Sequence, residues 1–127
     1  MRLFVVRHAE AAPGDPDELR PLTDAGRAAA RALGDRLADH GLDAVLSSPL
    51  LRARETAEAI ARPAGLVAEP DERLAPGADA EAVREAVAGR GDTVVTVGHQ
   101  PDCSEIVLAL SGERVSFDPG AVHEVEL

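Results

Sequence analysis

The stretch MRLFVVRHAEA, residues 1–11, decides the fold of this 127-residue chain. Its apolar run Leu3–Val6 is dominated by Phe and Val, which favour strands. The run is too short for a helix and ends at Arg7 and His8. It predicts a buried strand over residues 2–7, with a guanidinium and an imidazole at its carboxyl end.

Outward from this strand, strands and helices alternate along the sequence. Further strands are predicted over residues 43–47 (DAVLS), 65–69 (GLVAE) and 92–98 (DTVVTVG). Helices are predicted over residues 24–40 with Thr23 as the cap, and from Ser48-Pro49 to Arg62-Pro63 with Ser48 as the cap. Two more are predicted over residues 80–89 and from Pro101 through Leu110. Residues 114–117 (RVSF) and 121–127 (AVHEVEL) predict a closing antiparallel pair at one edge. This order predicts one domain over residues 1–127, a three-layer α/β/α sandwich with a largely parallel central sheet.

The composition limits the classes of partner and compartment. The net charge is −10 at pH 7, and all 13 basic side chains are arginine. Such an acidic chain repels nucleic acid and anionic lipid, so neither is an expected partner. No run approaches the roughly 18 apolar residues of a membrane span, and the N-terminus has no signal-peptide pattern. Cys103 is the only cysteine, so no intrachain disulfide is expected. We therefore predict a soluble, cytoplasmic protein.

Polar side chains follow each predicted parallel strand. In open α/β sheets, ligands bind outside the carboxyl ends of the strands. The residues there are Arg7 and His8 after the first strand, Ser48, Pro49 and Arg52 after the second, Asp71, Glu72 and Arg73 after the third, and Gly98, His99 and Gln100 after the fourth. Two histidines and two arginines are thus expected to converge at one edge of the sheet.

Such a set of side chains suits a phosphoryl group. Arginine forks pair with phosphate oxygens, and helix N-termini add amide donors. One imidazole could attack phosphorus, and the other, kept protonated by bound phosphate, could donate a hydrogen bond to an oxygen. No cluster of carboxylates or histidines stands at metal-ligand spacing, so neither a metal nor another cofactor is predicted.

Four segments, in order, resemble the histidine phosphatase superfamily, which is also called phosphoglycerate mutase-like. They are VVRHAEA (5–11), PLTDAGRAAA (21–30), LSSPLLRARETAEAI (46–60) and VVTVGHQP (94–101). The resemblance implies a phosphoglycerate mutase-like fold. It also implies that His8 is a nucleophile that becomes transiently phosphorylated, and that Arg7, Arg52 and His99 form the phosphate pocket. Gln100 and Glu10 are further predicted substrate contacts.

Two positions depart from the pattern of that superfamily. Ala9 stands where glycine is usual, which is tolerable if the backbone there is not left-handed. Pro76 stands where many members that act on phosphoglycerate or alkyl phosphates carry the glutamate that protonates the leaving oxygen. Asp71 and Glu72 are nearby and could substitute for it.

A missing acid favours one class of substrate. An alkoxide leaving group needs a proton, whereas the nitrogen of a phosphoramidate can take its proton from solvent. Within the superfamily, the segments GDPDELRPLTDAG (14–26) and LAPGAD (74–79) are similar to the small SixA-type phosphohistidine phosphatases, which the resemblance implies as the branch. We predict a monomeric phosphatase that removes phosphate from a histidine of a partner protein, such as a signalling phosphotransfer domain or a carrier protein of sugar uptake.

Two alternatives remain open at this point. The first is a phosphatase or mutase of small phosphate monoesters, such as sugar phosphates or phosphoglycerate, which would need a working acid at Glu72, Glu10 or Asp15. The second is a module that binds phosphorylated proteins without turnover.

Overall fold

The computed structural model describes residues 1–127 and contains one five-stranded sheet. Its strands are β1 (Arg2–Arg7), β2 (Ala44–Ser47), β3 (Glu69–Pro70), β4 (Thr93–Gly98) and β5 (Val122–Glu126). Their order across the sheet is β3-β2-β4-β1-β5. All neighbouring pairs are parallel except β1 with β5. The predicted fold class, an α/β protein with a largely parallel sheet, is confirmed.

Both faces of the sheet are buried because the side chains of each central strand alternate between two apolar cores. In β1, Leu3 and Val5 face one core, and Phe4 and Val6 face the other. The helices are α1 (Asp24–Ala38), α2 (Leu51–Ala61), α3 (Ala80–Val87) and α4 (Asp102–Ser111). Helices α1 and α2 cover the Phe4 side, and α3 and α4 cover the Leu3 side.

Two glycines of α1 allow backbones to approach closely. A Cβ on Gly26 would lie 2.1 Å from the carbonyl oxygen of Glu10, so this helix packs directly against the loop after His8. A Cβ on Gly34 would lie 2.4 Å from the carbonyl oxygen of Ala59 in α2. Glycine at these positions therefore brings α1 against both the site loop and the neighbouring helix.

The third strand differs from its prediction over residues 65–69. The structure has a 3-10 turn at Arg62–Ala64, a left-handed Gly65 with φ of 72°, and a strand of only two residues, Glu69–Pro70. Val67, which the apolar pattern places in a strand, is 84% exposed. The strand is short because it lies at the sheet edge and pairs with only Leu46 and Ser47 of β2.

The predicted antiparallel pair of residues 114–117 with 121–127 is wrong for its first segment. The segment 121–127 does supply β5, but β5 pairs with β1 rather than with residues 114–117. Carbonyl groups of that segment are taken by side chains: Ser104 donates to Val115, and Arg7 donates to Phe117. Residues 114–117 form no strand.

Helix α2 begins at Leu51 rather than at Ser48-Pro49. Leu50 occupies the cap position and makes no side-chain capping bond. The hydroxyl of Ser48, predicted as the cap, lies instead against His99. Thr23 does cap α1, by accepting from the amide of Gly26, as predicted.

Candidate active site

The carboxyl ends of β1, β4 and β2 meet at one edge of the sheet. Strands β1 and β4 end in register, with Arg7 opposite Gly98, and β2 ends with Ser47 opposite Val97. The amide of His8 continues this ladder by donating to the carbonyl of Gly98 at 3.0 Å. As a result, the ring centroids of His8 and His99 are 5.3 Å apart.

One ring nitrogen of His8 forms a hydrogen bond with the backbone, and the other does not. Its Nδ1 donates to the carbonyl oxygen of Ala9 at 2.7 Å, which fixes the proton on that nitrogen. The Nε2 lone pair is therefore the one that can act on a ligand. Burial is the largest cause that lowers the pKa of His8, and Arg52 and Arg7 lower it further, against the raising effect of the Ala9 bond. The ring is thus held neutral, as a nucleophile requires.

The backbone around Ala9 accommodates its methyl group. No residue other than glycine has a positive φ, so Ala9 is not left-handed, and its side chain is buried. Its amide donates to Thr56 Oγ1 at 3.1 Å, and the Thr56 hydroxyl donates to the carbonyl of Arg52 at 2.8 Å. With alanine in place of the usual glycine, the loop is therefore still hydrogen-bonded to helix α2.

His99 pairs with a hydroxyl that sequence analysis assigned to a helix cap. Its Nε2 lies 2.8 Å from Ser48 Oγ, and that oxygen also accepts from the amide of Leu50 at 3.3 Å. Ser48 Oγ and His99 Nε2 share this hydrogen bond, and its direction follows the protonation state of the ring. Burial, followed by the charges of His8 and Arg52, lowers the pKa of His99 to about 4. His99 is therefore neutral near pH 7 in the free protein, and a bound anion is what would favour its protonated form.

The two arginines are held in place by backbone carbonyls. Arg7 Nη1 donates to the carbonyl of Phe117 at 2.8 Å, whereas its buried Nε has no protein acceptor. A buried donor without a partner is uncommon in proteins and suits an anionic ligand. Arg52, 8% exposed, donates from Nη1 to the carbonyl of Asp17 at 2.9 Å.

Asp17 is a neighbour of the site that sequence analysis missed. Its Oδ2 lies 3.2 Å from Arg52 Nη2, and its Oδ1 lies 3.2 Å from Arg20 Nη1. These two arginines lower the pKa of Asp17, Arg20 first, so its carboxylate stays charged. Nothing in the loop sequence PGDPDELR marks which of its three acids would reach Arg52. That contact spans 35 residues.

The sequence model of the histidine phosphatase superfamily (branch 1) matches residues 3–76. This chain belongs to the histidine phosphatase superfamily. An uncharacterized protein of Picosynechococcus is 38% identical over 122 residues, which cover 87% of this chain and 73% of that protein. The structure of the protein histidine phosphatase SixA complexed with tungstate is similar, with a TM-score of 0.88 and 30% identity over 100% of this chain and 88% of SixA.

A mycobacterial glucosyl-3-phosphoglycerate phosphatase shares the fold, with a TM-score of 0.75 and 20% identity over 97% of this chain and 88% of that one. The family match and the likeness to SixA identify this chain as a phosphatase enzyme. They leave the substrate within the superfamily undecided.

Two of the predicted substrate contacts of this histidine phosphatase have other partners. The Gln100 side chain donates to Ser104 Oγ and accepts from the Ser104 amide, so it caps the start of α4. The Glu10 carboxylate accepts from the Thr23 hydroxyl at 2.7 Å and is exposed. The structure brings together Arg7, His8, Arg52 and His99, whereas the side chains of Gln100 and Glu10 make local hydrogen bonds.

The structure also shows the contacts and exposure of the residues considered as proton donors. Asp71 caps the 3-10 turn Glu72–Leu74 and is bound by Arg73 through both carboxylate oxygens. Arg73 holds the pKa of Asp71 below its usual range, which makes it a poor proton donor. Glu72, Asp15 and Pro76 are exposed at the surface.

The rest of this histidine phosphatase adds few chemical groups. No three His, Cys, Asp or Glu side chains are grouped closely enough to hold a metal ion. None of its helices has the length and apolar character needed to cross a bilayer. Cys103 is buried, and burial raises the pKa of its thiol to about 12, so it belongs to the core as a neutral side chain.

Proposed function

We propose that this phosphatase removes phosphate from a phosphohistidine of a partner protein, through a covalent phosphohistidine on His8. The observation that carries the proposal is the state of the His8 ring. Its Nδ1 is bonded to the Ala9 carbonyl, its Nε2 is free, and it lies beside His99 with its pKa lowered. A neutral imidazole fixed in this way is ready to attack phosphorus.

In the proposed first step, the lone pair of His8 Nε2 forms a bond to phosphorus. The bond between phosphorus and the substrate nitrogen breaks, and its electron pair stays on that nitrogen. When the substrate ring carries a proton on its other nitrogen, it leaves as a neutral imidazole. In the second step, water attacks phosphorus, the bond to Nε2 breaks, and inorganic phosphate and free His8 result.

The remaining pocket side chains are proposed to stabilise the transferring group. Arg7 Nε and the free N–H groups of Arg52 would bind its oxygens, and guanidinium groups do this with good geometry. His99 would donate from a ring N–H once a bound phosphoryl group favours its protonated form. Donors fixed in advance, such as these, favour a developing oxyanion more than water does.

The surroundings of the acid position favour phosphohistidine over a phosphate ester. Asp71 is held charged by Arg73, while Glu72 and Asp15 are exposed. We propose that no carboxyl group protonates the leaving atom, so that ester cleavage loses the roughly 100- to 10,000-fold that general acid catalysis supplies. A phosphoramidate needs no such help. The likeness to SixA at 30% identity supports the same substrate class.

The partner and its location belong to the same proposal. We place a monomeric enzyme in the cytoplasm, acting on a histidine-phosphorylated signalling domain or sugar-uptake carrier. Its net charge of −10 opposes binding to nucleic acid and to anionic lipid surfaces.

The first prediction tests this function with a substrate panel. The wild-type protein is expected to release phosphate from a phosphohistidine protein at a kcat/KM about 100-fold or more above that for sugar phosphates and phosphoglycerate, because only the esters need an acid. Rapid quenching with labelled phosphohistidine protein should trap acid-labile label on the wild-type enzyme and none on His8→Ala.

Higher activity on a monoester would move the assignment to the small-molecule alternative. Label on His8→Ala would contradict the covalent mechanism. Tight binding of the phosphoprotein with no release of phosphate would indicate the binding module. A matched control is His123→Ala, which removes an edge-strand histidine paired with Glu113 and should leave labelling unchanged.

A further inference from the structure

The guanidinium of Arg52 has two edges that can each grip an oxyanion, and one of them is occupied. Its end-on edge, Nη1 with Nη2, donates to the carbonyl oxygen of Asp17 at 2.9 Å and to Asp17 Oδ2 at 3.2 Å. The side-on edge, Nε with the second N–H of Nη2, has no protein acceptor. Two hydrogen bonds along one edge restrict the rotation of this planar group.

Asp17 is itself fixed on its other side. Its Oδ1 accepts from Arg20 Nη1 at 3.2 Å, and Arg20 Nε donates to the carbonyl of Ala12 at 2.9 Å. The carboxylate therefore bridges two arginines and ties the loop before α1 to helix α2. The charge of Arg20 also lowers the pKa of His8, which places this guanidinium within electrostatic reach of the nucleophile.

The charge state of Asp17 excludes the role of a proton donor. Hydrogen bonds from Arg20 and Arg52 lower its pKa, so it stays ionised at neutral pH. Its negative charge acts on His99 in the opposite sense to the arginines and raises the pKa of that ring. Asp17 thus offsets part of the positive charge of the pocket without giving up a proton.

We propose that Asp17 is a positioning residue for the phosphate pocket. It braces the end-on edge of Arg52, so that the side-on edge is presented to the phosphoryl oxygens, and it holds Arg20 beside it. This inference rests on the proposed function only in taking the phosphoryl group as the ligand. It predicts that phosphate binds together with the Asp17–Arg52 contact and does not displace it.

The test measures binding of inorganic phosphate directly by calorimetry, together with kcat and KM on a phosphohistidine protein. Asp17→Ala should weaken phosphate binding and lower kcat/KM, each by about 10-fold, because a charge-assisted bond to the fork is lost. Asp17→Asn should recover most of both values, since its amide oxygen still accepts from Nη2. The control is Glu124→Gln, which weakens an exposed surface pair, Glu124 with Arg2 at 2.8 Å, at the opposite end of β1.

Unchanged or tighter phosphate binding in Asp17→Ala would overturn the proposal, because it would make Asp17 a mere surface partner or a competitor for the phosphate site. Equal loss in Asp17→Asn and Asp17→Ala would also overturn it, because charge alone would then explain the effect. Inactivity of the wild type on phosphohistidine would count against the proposed function, yet the phosphate-binding comparison would still decide the role of Asp17.

Discussion

The centre and the edge of the sheet end in very different ways. Strands β1 and β4 are each six residues long, pair along their whole length and are buried, and they carry His8 and His99 at their ends. Strand β3 has two exposed residues and leads directly into Asp71, which is tied to its neighbour Arg73. The centre is buried and fully paired where the phosphoryl group would bind, whereas the carboxylate at the edge, Asp71, is held charged by Arg73.

This difference separates two roles, the positioning of the imidazoles by the central strands and the variability of the segment after the edge strand. Long buried strands fix the relative position of two imidazoles, because shifting either strand would disturb both apolar cores. A two-residue edge strand places little constraint on the segment after it, so that segment can vary without cost to the core. We infer that the centre determines phosphoryl transfer and that the edge determines which leaving group is accepted.

The largest expected effect comes from the centre. His99→Ala should lower kcat on a phosphohistidine protein by about 100- to 1,000-fold, the usual cost of removing one donor to a developing oxyanion. Steady-state kinetics with the folded variant would measure it, with circular dichroism as the check on folding. A kcat within about threefold of the wild type would place His99 outside the chemistry.

A smaller effect is expected in the pH dependence of stability. The pKa of His99 is about 4 when folded against 6.5 for an unperturbed histidine. Between these two pH values the unfolded chain binds a proton at His99 that the folded chain does not. The contribution of His99 to the free energy of unfolding is therefore complete above pH 6.5 and is lost as the pH falls towards 4. Urea unfolding at about pH 8 and about pH 5 should show this loss, and His99→Gln should reduce it.

The pKa of His8 is also lowered from 6.5, so His8 contributes a loss of the same sign that remains in His99→Gln. The carboxylates Asp17 and Asp71 do not contribute in this pH range. Their pKa values are lowered from 3.8, so their contributions disappear only at more acidic pH. Equal losses of unfolding free energy in His99→Gln and the wild type would show that the buried imidazole is not the group responsible.

The smallest effect is expected at the edge. Asp71→Asn and Glu72→Gln should each leave kcat on phosphohistidine within about twofold, since neither is needed to protonate the leaving nitrogen. The same kinetic assay measures both variants, with His99→Ala as the sensitive reference. A loss of about 100-fold in either variant would show that the edge supplies an acid after all, and would favour phosphate esters as substrates.

Much of the fold could be predicted from local pattern. The apolar run Leu3–Val6 and the segment 92–98 predicted the two central strands to within a residue, because buried parallel strands are continuous and apolar. The edge was harder, since GLVAE has strand-forming residues but starts at a left-handed glycine and gains few partners. Propensity without pairing does not make a strand.

By itself, the sequence determined which side chains stand at the carboxyl ends of the central strands, and therefore that Arg7, His8 and His99 meet. Only the tertiary structure decided which groups form hydrogen bonds with the pocket side chains. Phe117 bonds to Arg7, Asp17 to Arg52 and Ser48 to His99. These contacts join residues 110, 35 and 51 positions apart, respectively. Local periodicity records the face of an element, whereas the partner of a polar side chain depends on how distant elements pack.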